Sequence, residues 1–191
     1  TNVHNGNISE EDVQKSIDEL DQLQFAFDDF ELFWDDIINE KKKNILVLLD
    51  NAGEIAFDRL LIRTLKEFGK KILAVVKDAP ISNDAIMDDA LAVGINNECE
   101  VITTGSSDLG YDPKNASGDF MEKLTNFDIV LLKGMANFEA IFSYQHLHSN
   151  GKANYYSLLK LKCETHSELF GQSFGSYIFK KIDIKDDTFN L

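Results

Sequence analysis

Apolar positions recur along this chain in two rhythms, and the change falls near residue 40. Before it, Val13, Ile17, Leu20, Leu23, Phe27, Phe30, Trp34 and Ile37 return every three or four residues, behind a capping box at Ser9-Glu10-Glu11-Asp12. This spacing predicts an amphipathic helical segment over residues 1–40, broken at most once. Its aromatic stripe would pack on a core, with the intervening acids solvated and residues 1–8 as a lead-in.

After residue 40 short apolar runs alternate with helical patterns. Strands are predicted at 45–49, 72–76, 100–103, 128–132 and 155–159, and helices at 55–68, 84–92, 117–124, 137–144 and 164–170. Such alternation implies βαβ units. The expected fold class is α/β: a doubly wound, mostly parallel Rossmann-like sheet with helices on both faces, occupying 41–191 and preceded by the N-terminal helical segment. With 191 residues, 43% of them hydrophobic, one domain is the default.

Composition narrows the function. Acids outnumber Lys and Arg by 33 to 19, a net charge of −14, which argues against nucleic acid or an anionic membrane as partner. An anionic small molecule would need local positive charge. There is no apolar run long enough to span a membrane and no secretory pattern at the N-terminus, so a cytoplasmic address is expected. Cys99 and Cys163 are far apart and form no Cys-x-x-Cys pattern, which favours reduced, buried thiols over a disulfide or zinc site.

In doubly wound sheets ligands bind outside the carboxyl ends of the strands. Those ends carry Asp50-Asn51-Ala52-Gly53-Glu54, then Lys77-Asp78 with Ser82-Asn83-Asp84, Thr104-Gly105-Ser106, Lys133-Gly134-Met135-Ala136-Asn137 and Lys160-Leu161-Lys162. Two carboxylates and an amide oxygen suit a hard divalent cation such as Mg²⁺ or Mn²⁺, with water or substrate oxygens completing its shell. Lysines from other strands suit a phosphate, since opposite charges about 4 Å apart attract by roughly 4 kcal/mol at an effective dielectric near 20. A Walker loop and a Gly-x-Gly-x-x-Gly turn are both absent. So is the Asp-x-Asp of haloacid-dehalogenase phosphatases, because Ala52 stands two after Asp50.

The ordered motifs "LLDNAGEIAFD", "VVKDAPISNDAIMDDA", "LLKGMANFEA" and "YYSLLKLKCE" resemble the damage-control metal-dependent phosphatases, also called domain of unknown function 89, over roughly residues 9–178. The resemblance implies hydrolysis of small phosphorylated metabolites, sugar phosphates or damaged and surplus compounds, with Mn, Co, Ni or Mg as divalent metal. It places Asp50, Asn51 and Asp84 as metal ligands and Asp50 and Lys133 as catalytic residues. Glu54, Gly134, Asn137 and Lys162 become substrate contacts, and Asp58 and Asn83, beside the same turns, are expected to join them. The nucleophile is either metal-activated water or Asp50. Glu139 stands where some relatives have arginine. Relatives usually carry a larger helical region ahead of "DNAGE", so this is either a fragment or a short member.

Plainer readings exist for each position. Asp50 to Gly53 could be turn chemistry, Asp84 a helix N-terminal acid, and Glu54 and Asp58 first-turn acids. Lys77, Lys133 and Lys162 could be solvent lysines, and Asp88 and Asp89 a solvated helix face. His146 and His148 read as surface residues, and His4 and His166 have no nameable partner. Two other functions compete: an S-adenosylmethionine-dependent carboxyl methyltransferase, disfavoured by the single Gly53, and a non-catalytic metal-dependent metabolite-binding domain. The sequence does not indicate an oligomeric state.

Overall fold

A computed structural model describes residues 23–184. The capping box at Ser9 and the stripe positions Val13, Ile17 and Leu20 lie outside the described residues, as does His4.

Seven strands form one sheet. In chain order they are β1 (Phe25–Asp28), β2 (Asn44–Leu48), β3 (Lys71–Val76), β4 (Glu100–Thr103), β5 (Ile129–Lys133), β6 (Asn154–Lys160) and β7 (Tyr177–Ile182). The helices are α1 (Phe30–Ile38), α2 (Ile55–Glu67), α3 (Met87–Ala92), α4 (Gly118–Asn126), α5 (Met135–Ser143) and α6 (Glu164–Phe170). The spatial order is β1-β7-β6-β5-β2-β3-β4, and every neighbouring pair is parallel except β6 with β7. This is the expected mostly parallel α/β sheet.

Both faces of the central strands are buried, which explains why they read as unbroken apolar runs. On one face Leu46, Leu48, Val75, Val130 and Leu132 pack against Phe120 and Leu124 of α4, Phe138 and Ile141 of α5 and Phe170 of α6. On the other, Ile45, Val47, Ala74, Val76, Ile129 and Leu131 meet Phe33 and Ile37 of α1, Ile62 and Leu65 of α2 and Ala90 of α3. The period-2 alternation of the strands thus feeds two separate helical layers.

Three elements and one side chain differ from expectation. Residues 25–28 form a strand, not a continuation of the N-terminal helix: Leu23, Phe25 and Phe27 are half-buried while Gln24, Ala26 and Asp28 are exposed, a period-2 pattern, and β1 pairs parallel with β7. β7 itself was not anticipated. The helix expected at 84–92 begins only at Met87, where the Asp89 carboxylate accepts a hydrogen bond from the Ile86 N–H (3.0 Å). Asp84 is therefore no helix-terminal acid, and Asp89 is a cap. Finally, His148 is buried, not on the surface, with its Nε2 2.8 Å from the Tyr111 hydroxyl; His146 is exposed.

Candidate active site

The order β5-β2-β3 is a topological switch, because the chain leaves β2 for β3 on one side and reaches β5 on the other only later. A crevice opens at such a point outside the strand ends. Asp50 lies just beyond β2, and Lys133 closes β5 beside it.

The segment Asp84–Ile86 extends the sheet at this edge. Ala85 N–H donates to Asp50 O (2.7 Å), Lys77 N–H donates to Ala85 O (2.9 Å), and bridges join Asn51 with Asp84 and Lys77 with Ile86. Ala52 N–H donates to Asn83 O (2.9 Å), fastening the turn after β2 to the same segment. This backbone lacing brings Asp50, Asn51 and Asp84 together although more than thirty residues separate them in the chain. Asn83 takes part through its carbonyl, and its side chain is exposed.

The electrostatics of the group are unbalanced. Burial pushes the Asp50 carboxyl up to about 6, with Glu54 and Asp84 adding to the rise and Lys162 and Lys133 opposing it. Burial also raises Asp84, against the pull of Lys77. Asp84 Oδ2 is buried and accepts no hydrogen bond; its nearest cation is Lys77 Nζ at 3.7 Å. Asn51 Nδ2 donates to Asp50 Oδ2 (3.0 Å) and Glu54 Oε1 (2.7 Å), which leaves its carbonyl oxygen to offer elsewhere. A buried carboxylate oxygen without a donor, next to a second crowded carboxylate and an amide, has the chemistry of a hard-cation site. No cluster of three or more His, Cys, Asp or Glu side chains able to hold a metal occurs among the described residues. The set is two carboxylates and one amide, so water or substrate oxygens must supply the remaining ligands.

Cations line the other side of Asp50. Lys133 Nζ donates to both oxygens of Asp58 (2.6 and 2.8 Å) and lies 3.6 Å from Glu54 Oε2. Asp58, on the first turn of α2, is buried, and burial raises its carboxyl while Lys133 opposes the rise. Asp50, Glu54, Lys133, Gly134, Lys162 and Tyr177 all line a cleft of about 390 Å³. A hollow of about 430 Å³ lined by Asp29, His148, Lys152 and Lys181 lies at the opposite edge, where the parallel strands begin and α/β sheets do not place their ligands.

Two expected or dismissed residues turn out to brace the site from within. Asn137 is buried; its Nδ2 donates to Leu49 O (3.0 Å) and Lys133 O (2.7 Å), tying the ends of β2 and β5 together. Its Oδ1 lies 3.4 Å from Lys77 Nζ. Lys77, which the sequence offered as a solvent lysine, is 1% exposed and also donates to Gly110 O. Burial lowers its ammonium and Asp84 and Asp50 hold it up. Lys77 directly follows five consecutive buried residues of β3, but its own burial depends on Gly110 and Asn137, far away in the chain, so no local pattern signals it.

Comparison with known proteins agrees with this fold and identifies a family. Residues 2–178 match the family model described as the damage-control phosphatase ARMT1-like domain. An uncharacterized protein of Methanocaldococcus jannaschii is 35% identical over 88% of this chain and 55% of its own length. A damage-control phosphatase of Pyrococcus horikoshii is 30% identical over 82% of this chain and 52% of its own. The crystal structure of a DUF89 family protein from Pyrococcus horikoshii superposes with a TM-score of 0.83 at 26% identity, covering 93% of this chain and 60% of that one. The chain spans about half the length of the curated relatives it matches.

Proposed function

The chain belongs to the damage-control phosphatase ARMT1-like domain family, and from that premise we propose that it is a metal-dependent phosphomonoester hydrolase acting on small phosphorylated metabolites. The observation that carries this reading is the unpartnered buried oxygen of Asp84 beside crowded Asp50, at the head of a lysine-lined cleft. Asp50, Asn51 and Asp84 would hold Mn, Co, Ni or Mg. When bound, such an ion polarises a phosphoryl oxygen and lowers the barrier to in-line attack.

The chain's own side chains do the rest. Lys133, aimed by both oxygens of Asp58, neutralises charge growing on the phosphoryl oxygens, and Lys162 adds a second cation at the cleft wall. Glu54, exposed at the mouth, accepts hydrogen bonds from substrate hydroxyls. Asn137 and Lys77 are positioning residues that keep the strand ends from separating. No described helix is long and apolar enough to cross a membrane.

The test is phosphate release from p-nitrophenyl phosphate with excess chelator, then with Mn²⁺, Co²⁺, Ni²⁺, Mg²⁺ or Ca²⁺ restored. Turnover is expected to vanish in chelator and return better with Mn²⁺, Co²⁺ or Ni²⁺ than with Ca²⁺, because two carboxylates and an amide provide fewer oxygens than Ca²⁺ prefers. Undiminished turnover in chelator rules the metal out. No turnover with any of the metals rules the hydrolase out.

A further inference from the structure

Three side chains outside the cleft's metal and lysine groups line up as nucleophile, base and orienting acid. Cys163 Sγ lies 2.6 Å from His166 Nδ1, and His166 Nε2 lies 2.7 Å from Glu139 Oε1. The chain of contacts spans two elements, since Glu139 comes from α5 and the Cys-x-x-His pair from the turn into α6. It is also open to small reagents: Cys163 is half-buried, and the Glu139 side chain is half exposed. A thiol held against an imidazole that a carboxylate orients is the general arrangement of an activated nucleophile.

We propose that Cys163 is a peroxide-reactive thiol, a modification site for hydroperoxides that is independent of phosphate-ester hydrolysis. Cys163 gives its proton to His166 Nδ1, and Glu139 holds the imidazolium through Nε2–H. The thiolate attacks one peroxide oxygen, so that an S–O bond forms as the O–O bond breaks. Two electrons pass from sulfur to the peroxide. The departing hydroxide or alkoxide takes the proton from His166, leaving a sulfenic acid and water or an alcohol.

The other thiol cannot resolve this product. Cys99 immediately precedes β4, four strand spacings from β6 in the order β6-β5-β2-β3-β4, or roughly 19 Å, whereas a disulfide needs Cα atoms within about 7 Å. No internal disulfide therefore follows, and the first product is a sulfenic acid one residue from Lys162 of the cleft wall. Burial also raises the Cys99 thiol, which makes it an internal reference for ordinary or low reactivity.

The test reads chemistry at Cys163 by peptide mass spectrometry. At pH 7 an ordinary thiol is only a few per cent thiolate, so iodoacetamide should alkylate Cys163 on the order of 10-fold faster than Cys99. His166→Gln should bring Cys163 down to an ordinary thiol's rate without moving the melting temperature. Hydrogen peroxide followed by dimedone should leave an adduct at Cys163 in the wild type, none at Cys99, and none at position 163 in His166→Gln. Equal alkylation of Cys163 in wild type and His166→Gln, or no dimedone adduct at Cys163, overturns the proposal. Phosphate release enters none of these readouts, so failure here and failure of the hydrolase reading are separable.

Discussion

The backbone of Gly134 lies directly against the carboxylate of Asp50: a Cβ at position 134 would overlap both carboxylate oxygens. Gly134 also holds φ +80°, a conformation that side chains other than glycine rarely adopt. Two independent constraints thus demand glycine where β5 meets α5, and one of them concerns the candidate metal ligand itself.

Gly134→Ala is therefore expected to displace Asp50 and lower turnover by about 10²-fold, the usual scale for misplacing a reacting group by about 1 Å. The strained backbone should add a stability loss of about 1–3 kcal/mol. Turnover and urea denaturation measure the two effects separately. An alanine variant with wild-type turnover would show that Asp50 need not sit where it does.

Lys133 has both a chemical and a structural role, and they can be separated. Lys133→Ala should lower kcat and kcat/KM by about 10²-fold. It should also cost about 3–5 kcal/mol of stability, since Asp58 is left buried without its cation. Adding Asp58→Asn should recover most of the stability and none of the turnover. Recovery of turnover in the double variant would reduce Lys133 to a structural partner of Asp58.

The strand ends could be found in the sequence because β2, β3 and β5 are buried on both faces and read as plain apolar runs. β1 was hidden because Leu23 and Phe27 fit a helical spacing and a strand spacing equally well, and only pairing with β7 decides between them. β7 was hidden because Lys180 and Lys181, only partly buried one strand in from the sheet edge, interrupt its apolar pattern. Asp50, Asn51, Asp84, Lys133 and Lys162 could be gathered at one edge of the sheet from their places after the strands, while the roles expected of them rest on the family resemblance. Lys77 and His148 could not, because burial of a polar side chain is a property of the assembled layers: Lys77 needs Gly110 and Asn137, and His148 needs Tyr111. The Cys163–His166–Glu139 line likewise needs α5 and α6 to pack before it exists.

His148 should give the fold a specific acid sensitivity. Burial, with a smaller effect from His146, lowers its imidazole from the ordinary 6.5 to about 4. Between those values the unfolded chain binds a proton that the folded chain refuses, so this group's contribution is fully present above pH 6.5 and is lost as pH falls toward 4. By pH 5 the loss should be about 2 kcal/mol. Urea denaturation at pH 7 and pH 5 should show His148→Gln losing less than wild type by about that amount. Equal losses would place His148 outside the acid response.

Asp84 offers the sharpest test of the metal reading. It precedes α3 without capping it, so replacing it with asparagine forfeits no helix cap. What Asp84→Asn removes is a buried negative charge that crowds Asp50 and that Lys77, 3.7 Å away, offsets only in part. Lys77 keeps Gly110 O and Asn137 Oδ1 as partners and Asp50 as a counter-charge, and Asp50 is relieved of a crowding carboxylate, so the metal-free variant should melt close to wild type. Metal is where the two proteins should part. Mn²⁺ at about 100 times its dissociation constant would stabilise the wild type by roughly 2.7 kcal/mol through linkage, whereas a variant with one ligand carboxylate fewer should show little of that gain. Melting temperature against Mn²⁺ concentration measures this without reference to turnover. Equal metal-induced shifts in wild type and Asp84→Asn would remove Asp84 from the ligand set, and its unpartnered oxygen would then need Lys77 alone as its explanation.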